Sequence, residues 1–205
     1  MTDLVLVRHG ETVWHAENRY AGVSDVELTP RGHAQAAQLA EWAATAGLAA
    51  VWASTLSRAV ITAEAAATKA GLELHTDPRL LELDFGEGEG LTAAEMKARF
   101  PEARAAFEAD PAAHPLPGGE DPHAAAARFA EALADIAAAH AGGRVLVVAH
   151  TTAIRLTLCR LMGVPLGEYR RLLPRLDNCA LTEVRLRDTG RAALLQYNSP
   201  IGAVR

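Results

Sequence analysis

The sequence predicts an α/β fold: three layers, α/β/α, around a mostly parallel central sheet with a small helical cap inserted. Three observations carry this. Short apolar runs alternate with longer helical segments, the pattern of parallel strands joined by helical crossovers. Half of the 205 residues are hydrophobic and 22% are charged, as in a packed globular chain. Alanine makes up roughly a fifth of the sequence, well above ordinary usage, so the layers over the sheet lean on helices.

The elements follow in order. Leu4 to Val7 is an apolar run read as a buried strand, and Arg8-His9-Gly10 is the loop after it. Thr29 caps a helix with Pro30 at its first position, and Gly47 stops it. Ala49 to Ala53 is a second strand, Thr55 to Ala70 a helix closed by Gly71, and Leu72 to His75 a weaker third strand. Arg79 to Gly90 is irregular and rich in Glu and Gly. Thr92 with Glu95 forms a capping box, and prolines and glycines from Pro111 to Gly119 form a loop. The segment 92–119 is the candidate cap. Asp121-Pro122 opens a long helix reaching His140. Arg144 to Ala149 is the strongest β run, with His150 and a helix to Met162 directly after it. Asn178 to Leu186 and Ala192 to Tyr197 read as late strands. No repeat or linker divides the chain, so residues 1–205 are expected to form one domain.

The net charge of −5 argues against nucleic acid or anionic lipid as a partner, because phosphate backbones need clustered cations. Lysine occurs only at Lys69 and Lys97, so the positive charge is almost all arginine, whose rigid fork suits oxyanions. A high-GC coding bias accounts equally well for most of those arginines. Two cysteines exclude a disulfide framework. No apolar run approaches the ~20 residues of a membrane span, and the N-terminus lacks a basic leader, so a cytoplasmic protein is expected. A homodimer stays open, since no apolar stripe compels one.

Chemistry concentrates at strand ends. Two strands end in histidine, at His9 and His150, and ligands of parallel sheets bind beyond the carboxyl ends of strands. Arg58 begins the helix after the second strand, with Ser54 in the same loop; a helix N-terminus there favours an anion. A solvated arginine explains Arg58 as well from this segment alone. Glu82 stands among apolar neighbours in Leu80-Leu81-Glu82-Leu83, where a carboxylate can serve as a proton donor. Glu87 and Glu89 fit a solvated turn. Eight histidines are present, but none form a metal-binding H-x-x-x-H pair, so no metal and no cofactor are expected.

The sequence as a whole resembles the histidine phosphatase superfamily, which includes cofactor-dependent phosphoglycerate mutases and many small phosphatases. Leu6-Val7-Arg8-His9-Gly10-Glu11-Thr12 resembles its defining N-terminal motif. Asp25 with Leu28-Thr29 and Gly32 resembles the segment leading into the first helix. Ser54-Thr55-Leu56-Ser57-Arg58-Ala59 with Thr62-Ala63 is similar to its second arginine motif, and Arg79-Leu80-Leu81-Glu82 with Phe85-Gly86-Glu87 and Glu89-Gly90 to its acid motif. Pro117-Gly118-Gly119-Glu120 and Val147-Val148-Ala149-His150 with Ile154-Arg155 complete the series in order.

The resemblance implies metal-free phosphoryl transfer on a small phosphorylated substrate. His9 would be the nucleophile that becomes phosphohistidine. Arg8, Arg58 and a protonated His150 would surround the phosphoryl oxygens. Glu82 would protonate the leaving oxygen and then activate water. His15, Arg19, Ser54 and Thr151 are the further candidates for phosphate or substrate contact.

Four positions depart from the family pattern. His15 stands where Asn is common, and either reaches phosphate or faces solvent. Thr151 follows the second histidine in place of Gly, and either narrows the pocket or caps the next helix. Gly88 replaces a common Trp, which would loosen that loop. Asp121 replaces a Ser as N-cap. The short span from Glu82 to His150 favours a phosphatase over a cofactor-dependent phosphoglycerate mutase; a non-catalytic phospholigand-binding module is a third reading. Arg170, Arg171 and Arg175 could meet a second acidic group on a substrate, but a solvated helix face is the favoured reading.

Overall fold

A computed structural model describes residues 1–187 and 192–202. Its centre is a six-stranded sheet built from β1 (Thr2–Arg8), β2 (Ala50–Ala53), β3 (Leu74–Thr76), β4 (Arg144–Ala149), β5 (Leu181–Leu186) and β6 (Ala192–Ser199). The strand order is β3-β2-β4-β1-β5-β6. The first four in that order are parallel, and β5 and β6 run antiparallel at one edge. The helices are α1 (Pro30–Ala43), α2 (Ser57–Ala70), α3 (Ala93–Arg99), α4 (Pro101–Ala109), α5 (Pro122–Ala139), α6 (Thr151–Met162) and the single turn α7 (Tyr169–Leu172).

The period of two along each strand splits the core into two layers. Val5 and Val7 of β1 pack with Val51 and Val148 against Leu39 of α1 and the alanines of α2. Leu4 and Leu6 point the other way, with Val145 and Val147, against Phe129, Leu133 and Ile136 of α5 and Ile154 of α6. The three-layer α/β/α expectation therefore describes the molecule. The abundant alanine has a packing role: Ala59, Ala63 and Ala66 of α2 are fully buried. Among the described residues, no helix is long and apolar enough to cross a membrane.

The boundaries moved for local reasons. The first helix ends at Ala43 rather than Gly47, and turns fill the gap. The second begins at Ser57, not Thr55, because the Asp25 carboxylate accepts from both the amide and the hydroxyl of Ser57. The third strand starts at Leu74, since the amides of Gly71 and Leu72 close the end of α2 on Thr68 and Ala67. The fifth starts at Leu181, because Cys179 adopts a left-handed φ of 58° and its amide turns to the carbonyl of Arg8. The segment 92–119 holds two helices, α3 and α4, broken at Phe100-Pro101, where proline excludes its predecessor from helical geometry. Asp121 caps α5 through the amide of His123.

Candidate active site

β1 and β4 are neighbours in register Arg8↔Ala149, so each delivers its histidine one residue beyond the sheet, side by side. The amide of His9 donates to the carbonyl of Ala149 at 3.0 Å, and the rings of His9 and His150 stand 5.2 Å apart. His9 is buried. Its Nδ1 lies 2.7 Å from the carbonyl of Gly10. A carbonyl only accepts, so Nδ1 carries the hydrogen and Nε2 holds the lone pair. Burial, together with the nearby His150, Arg58 and Arg8, holds His9 well below the ordinary histidine range, and the ring is neutral. The loop must be glycine where it passes α1: a Cβ on Gly10 would lie 2.5 Å from the carbonyl oxygen of Gly32.

Arg58, in the first turn of α2, is fully buried. Its Nε donates to Nε2 of His9 at 3.2 Å. Its Nη atoms donate at 2.6 Å to the carbonyls of Ser24 and Gly22. Those carbonyls are fixed in turn by Glu89, which accepts from the amides of Gly22 and Ser24 and from the Ser24 hydroxyl. Glu89 is therefore not a solvated turn residue. It orders the loop that aims Arg58, whereas Glu87 is exposed as expected. Arg8 donates to the carbonyl of Leu176 at 2.9 Å and approaches Nε2 of His15 at 2.5 Å. Its Nε is buried without a hydrogen-bond partner among the described residues. Burial pulls Arg8 down to about 10 and lowers Arg58 as well, against the opposing pull of nearby carboxylates such as Glu82.

Glu82 is buried, and its carboxylate sits at the start of α6. It accepts from the amides of Thr152 (2.9 Å), Ala153 (2.7 Å) and Leu83 (2.8 Å). Arg128 of α5 holds its backbone, donating to the carbonyls of Arg79, Leu81 and Glu82. His150 is buried with Nε2 at 2.8 Å from Ser54 Oγ, while its Nδ1 has no partner among the described residues. Burial and the charges of Arg58 and Arg8 hold His150 well below the usual range. Burial and the two arginines thus favour a neutral His150 over the imidazolium expected from the resemblance.

His9, Arg8, Glu82 and Thr151 line one cavity of about 430 Å³, with Tyr20, Phe85, Tyr169 and Arg170 on its other walls. The five principal sequence candidates are brought together, and the further candidates separate. His15 lines the cavity, but its Nδ1 is bound to Thr12 and its Nε2 faces Arg8. Burial and Arg8 push it down to about 4, so it stands beside Arg8 as a neutral ring. Arg19 lines the cavity, yet Glu17 and Glu95 already meet its charge at 2.6 and 2.9 Å. Ser54 is fully buried behind His150 rather than on the cavity wall. No side chain of α6 caps that helix, so the Thr151 hydroxyl is not its cap. Gly88 leaves no slack either: Leu116 and Met96 fill the space, and a Cβ would meet Leu116 at 2.5 Å. Arg171 and Arg175 are exposed and paired with Glu168 and Asp177.

Sequence reasoning missed Arg128 and Asn178. Thr62, which the second arginine motif includes, accepts the amide of Gly10 and donates to the carbonyl of Arg58; Asn178 donates to the carbonyl of His9 at 2.7 Å. Thr62 lies one helical turn after Arg58, on the same face of the helix. Asn178 lies 169 positions from His9 and gave no local signal. Among the described residues, no group of His, Cys, Asp or Glu is placed to hold a metal ion.

A neutral imidazole whose unprotonated Nε2 meets only the Arg58 guanidinium among the described residues, a second guanidinium nearby and a carboxylate in the same cavity form the equipment of a nucleophile with an oxyanion cradle. The comparisons agree in kind. The model of the histidine phosphatase superfamily (branch 1) matches residues 4–199. The chain therefore belongs to that superfamily and is an enzyme of it. It is 36% identical over 184 residues to a probable phosphoglycerate mutase GpmB from Enterobacter sp., covering 90% of this chain and 85% of that one. It is 32% identical over 169 residues to phosphoserine phosphatase 1 of Hydrogenobacter thermophilus, covering 82% and 80%. A mycobacterial glucosyl-3-phosphoglycerate phosphatase superposes with a TM-score of 0.88 at 29% identity, covering 97% of this chain and 99% of the other.

Proposed function

We propose that this chain is a metal-independent phosphomonoester hydrolase that acts on a small phosphorylated metabolite through a phosphohistidine. The observation that carries this is the state of His9: Nδ1–H fixed on Gly10, Nε2 bare of hydrogen, and Arg58 at 3.2 Å. In the first step Nε2 attacks phosphorus and the bond from phosphorus to the ester oxygen breaks. Glu82 gives that oxygen its proton. In the second step Glu82 takes a proton from water, the oxygen of that water attacks phosphorus, and the N–P bond breaks. Inorganic phosphate leaves, and His9 is neutral again. Arg8 and Arg58 supply fixed charge to the phosphoryl oxygens throughout, which is the role a metal would otherwise fill. If the Ser54 hydroxyl donates to Nε2 of His150, the hydrogen of that ring sits on the unpartnered Nδ1, where a phosphoryl oxygen can accept it. The chain works as one catalytic domain in the cytoplasm, a setting that suits its two unpaired buried cysteines.

The test is turnover of alkyl and aryl phosphates by purified protein in excess chelator. Retained activity, with an acid-labile phosphoprotein on rapid quench, is the expected result; activity lost to chelation overturns it. The similarity to a probable phosphoglycerate mutase favours one competing reading, that the phosphoenzyme returns its phosphoryl group to substrate. Supplying 3-phosphoglycerate with 2,3-bisphosphoglycerate separates the two: fast formation of the 2-isomer would make the protein a mutase.

A further inference from the structure

Arg128 of α5 takes no part in either chemical step, and neither it nor Glu120 lines the cavity. Each is only 23% exposed, and the two pair twice: Nε with Oε1 at 2.7 Å and Nη2 with Oε2 at 2.8 Å. The remaining donors of Arg128 go to three carbonyls of one segment. Nη1 donates to Arg79 and Leu81, both at 2.8 Å, and Nη2 to Glu82 at 2.9 Å. A guanidinium has five N–H groups, and here all five are used.

The segment so held carries the acid. From Leu81 to Phe85 it belongs to no strand or helix, so its course is set from outside. Among the described residues no other donor meets the carbonyls of Leu81 and Glu82. Glu120 extends the hold past Glu82: its amide donates to the carbonyl of Asp84 at 2.9 Å, and its carboxylate faces the Asp84 amide at 3.4 Å. The helix behind Arg128 is firmly seated, with Phe129 and Leu133 fully buried. A proton donor must lie within hydrogen-bond reach of the oxygen it serves, and a misplacement of about 1 Å can cost about 10²-fold in rate.

We infer that Arg128 and Glu120 form one positioning unit for Glu82: the pair holds the backbone on both sides of the acid and so keeps its carboxyl within reach of the leaving oxygen. This rests on the phosphomonoesterase reading above, with Glu82 as the acid. Arg128 is the positioning residue, and Glu120 orients its fork and meets its charge. A lysine does not replace it, because three donors on one nitrogen cannot span three carbonyls and a carboxylate.

The first test reads the leaving group through kcat/KM, which reports on the step that forms the phosphoenzyme. Glycerol 3-phosphate needs a proton on its leaving oxygen, and 4-nitrophenyl phosphate does not. Arg128→Met is expected to lower kcat/KM by about 10²-fold on the first and by less than about threefold on the second. Arg128→Lys should not restore the alkyl ester. Glu120→Gln leaves the arginine in place, gives the same pattern at smaller size, and serves if Arg128→Met fails to fold. In a Glu82→Gln background Arg128→Met should slow both esters alike, since no acid remains to be placed. Arg99→Gln, on an exposed arginine paired with Glu87, should leave the ratio of the two esters unchanged.

The second test reads the carboxylate itself and needs no turnover. The amides of Thr152 and Ala153 lie in the first turn of α6, without helical acceptors, and donate to Glu82. In Arg128→Met their hydrogen exchange should quicken by about tenfold or more, while Leu156 and Leu158 further along α6 keep their rates. Equal losses on the two esters, restoration by lysine, or exchange at Thr152 and Ala153 that is unchanged or rises only with the rest of α6 overturns the unit. If the wild type hydrolyses neither ester, the phosphomonoesterase reading has failed. Exchange then decides the unit alone: a rise confined to Thr152 and Ala153 upholds it, and any other pattern overturns it.

Discussion

The floor and the wall of the cavity are built by different physics. The floor consists of His9, Arg58, Glu82 and His150, all buried; Arg58 and Glu82 are each fixed by two or more hydrogen bonds to backbone and His9 by one. The wall is aromatic and cationic. Tyr20 meets Phe85 edge-on at 4.9 Å and Phe107 at 6.1 Å, and Arg104 lies 5.4 Å from the centre of the Tyr20 ring. Hydrogen bonds to backbone hold an atom to a few tenths of an ångström, as phosphoryl transfer requires. Stacked rings tolerate rearrangement, as a site that must accept a particular ester can. The comparison teaches that chemistry and selectivity are separable here, and each prediction below tests that division.

The largest effect belongs to the floor. His9→Ala should lower hydrolysis by about four orders of magnitude or more, the scale on which enzymes lose rate with their nucleophile, as steady-state kcat/KM will show. Unchanged turnover would remove the phosphohistidine from the mechanism. Glu82→Gln should cost about 10²–10⁴-fold on alkyl phosphates and much less on aryl ones, which leave without a proton. Equal losses on both would sink the acid role.

The same division explains what could be read in the sequence. His9, Arg58 and His150 sit within a residue or two of strand ends and helix starts, so the runs Leu4 to Val7 and Arg144 to Ala149 marked the histidines at once, whereas Glu82 lies in an irregular segment whose spacing did not single it out. The parallel pairing of β1 with β4 then placed His9 beside His150 with no further freedom. The wall joins residues 20, 85, 107, 155 and 169–170, and only tertiary packing unites them. Glu89 was left open between the acid motif and a solvated turn for a related reason. Its partners, Gly22 and Ser24, lie 67 and 65 positions away, and nothing near Glu89 in sequence announces them. Arg170 stood beside Arg171 and Arg175 with nothing to choose between them until the fold paired the other two with acids.

Glu89 lies between the two regions, and its removal should be felt in both stability and rate. Glu89→Ala strands the amides of Gly22 and Ser24. About 1–3 kcal/mol of stability should be lost, measured by urea unfolding. The loop that aims Arg58 would loosen, and kcat/KM should fall by about tenfold. A loss of stability with full activity would mean that Arg58 holds its place without this loop.

Acid should weaken the floor as well. His9 and His150 are held neutral, well below the ordinary range, and the cause in both is burial first and nearby cations second. Below pH 6.5 the unfolded chain binds protons that the folded chain refuses. Stability is therefore full above 6.5 and falls as pH drops from there toward the folded-state values. From pH 7.5 to 5.5 each of these two histidines should account for about 1.4 kcal/mol of that loss. His150→Asn should flatten the urea midpoint against pH by one such share. An unchanged slope would mean that His150 is already charged in the folded protein.

The smallest effect should come from the wall. The Tyr20 hydroxyl accepts from Nη1 of Arg104 at 2.9 Å, and Arg104 is held independently by Glu108 at 2.8 Å. Tyr20→Phe keeps the ring against Phe85 and Phe107 and keeps the cation over its face. It removes one hydrogen bond at a partly buried position, which should cost about 1 kcal/mol or less in urea unfolding. The hydroxyl contacts neither His9 nor Arg58 nor Glu82, so kcat for a small alkyl phosphate should change by less than about threefold, within the spread of a site whose fixed atoms have not moved. A drop in kcat of two orders of magnitude with stability intact would place the hydroxyl in the chemistry, and the division between floor and wall would fail at Tyr20.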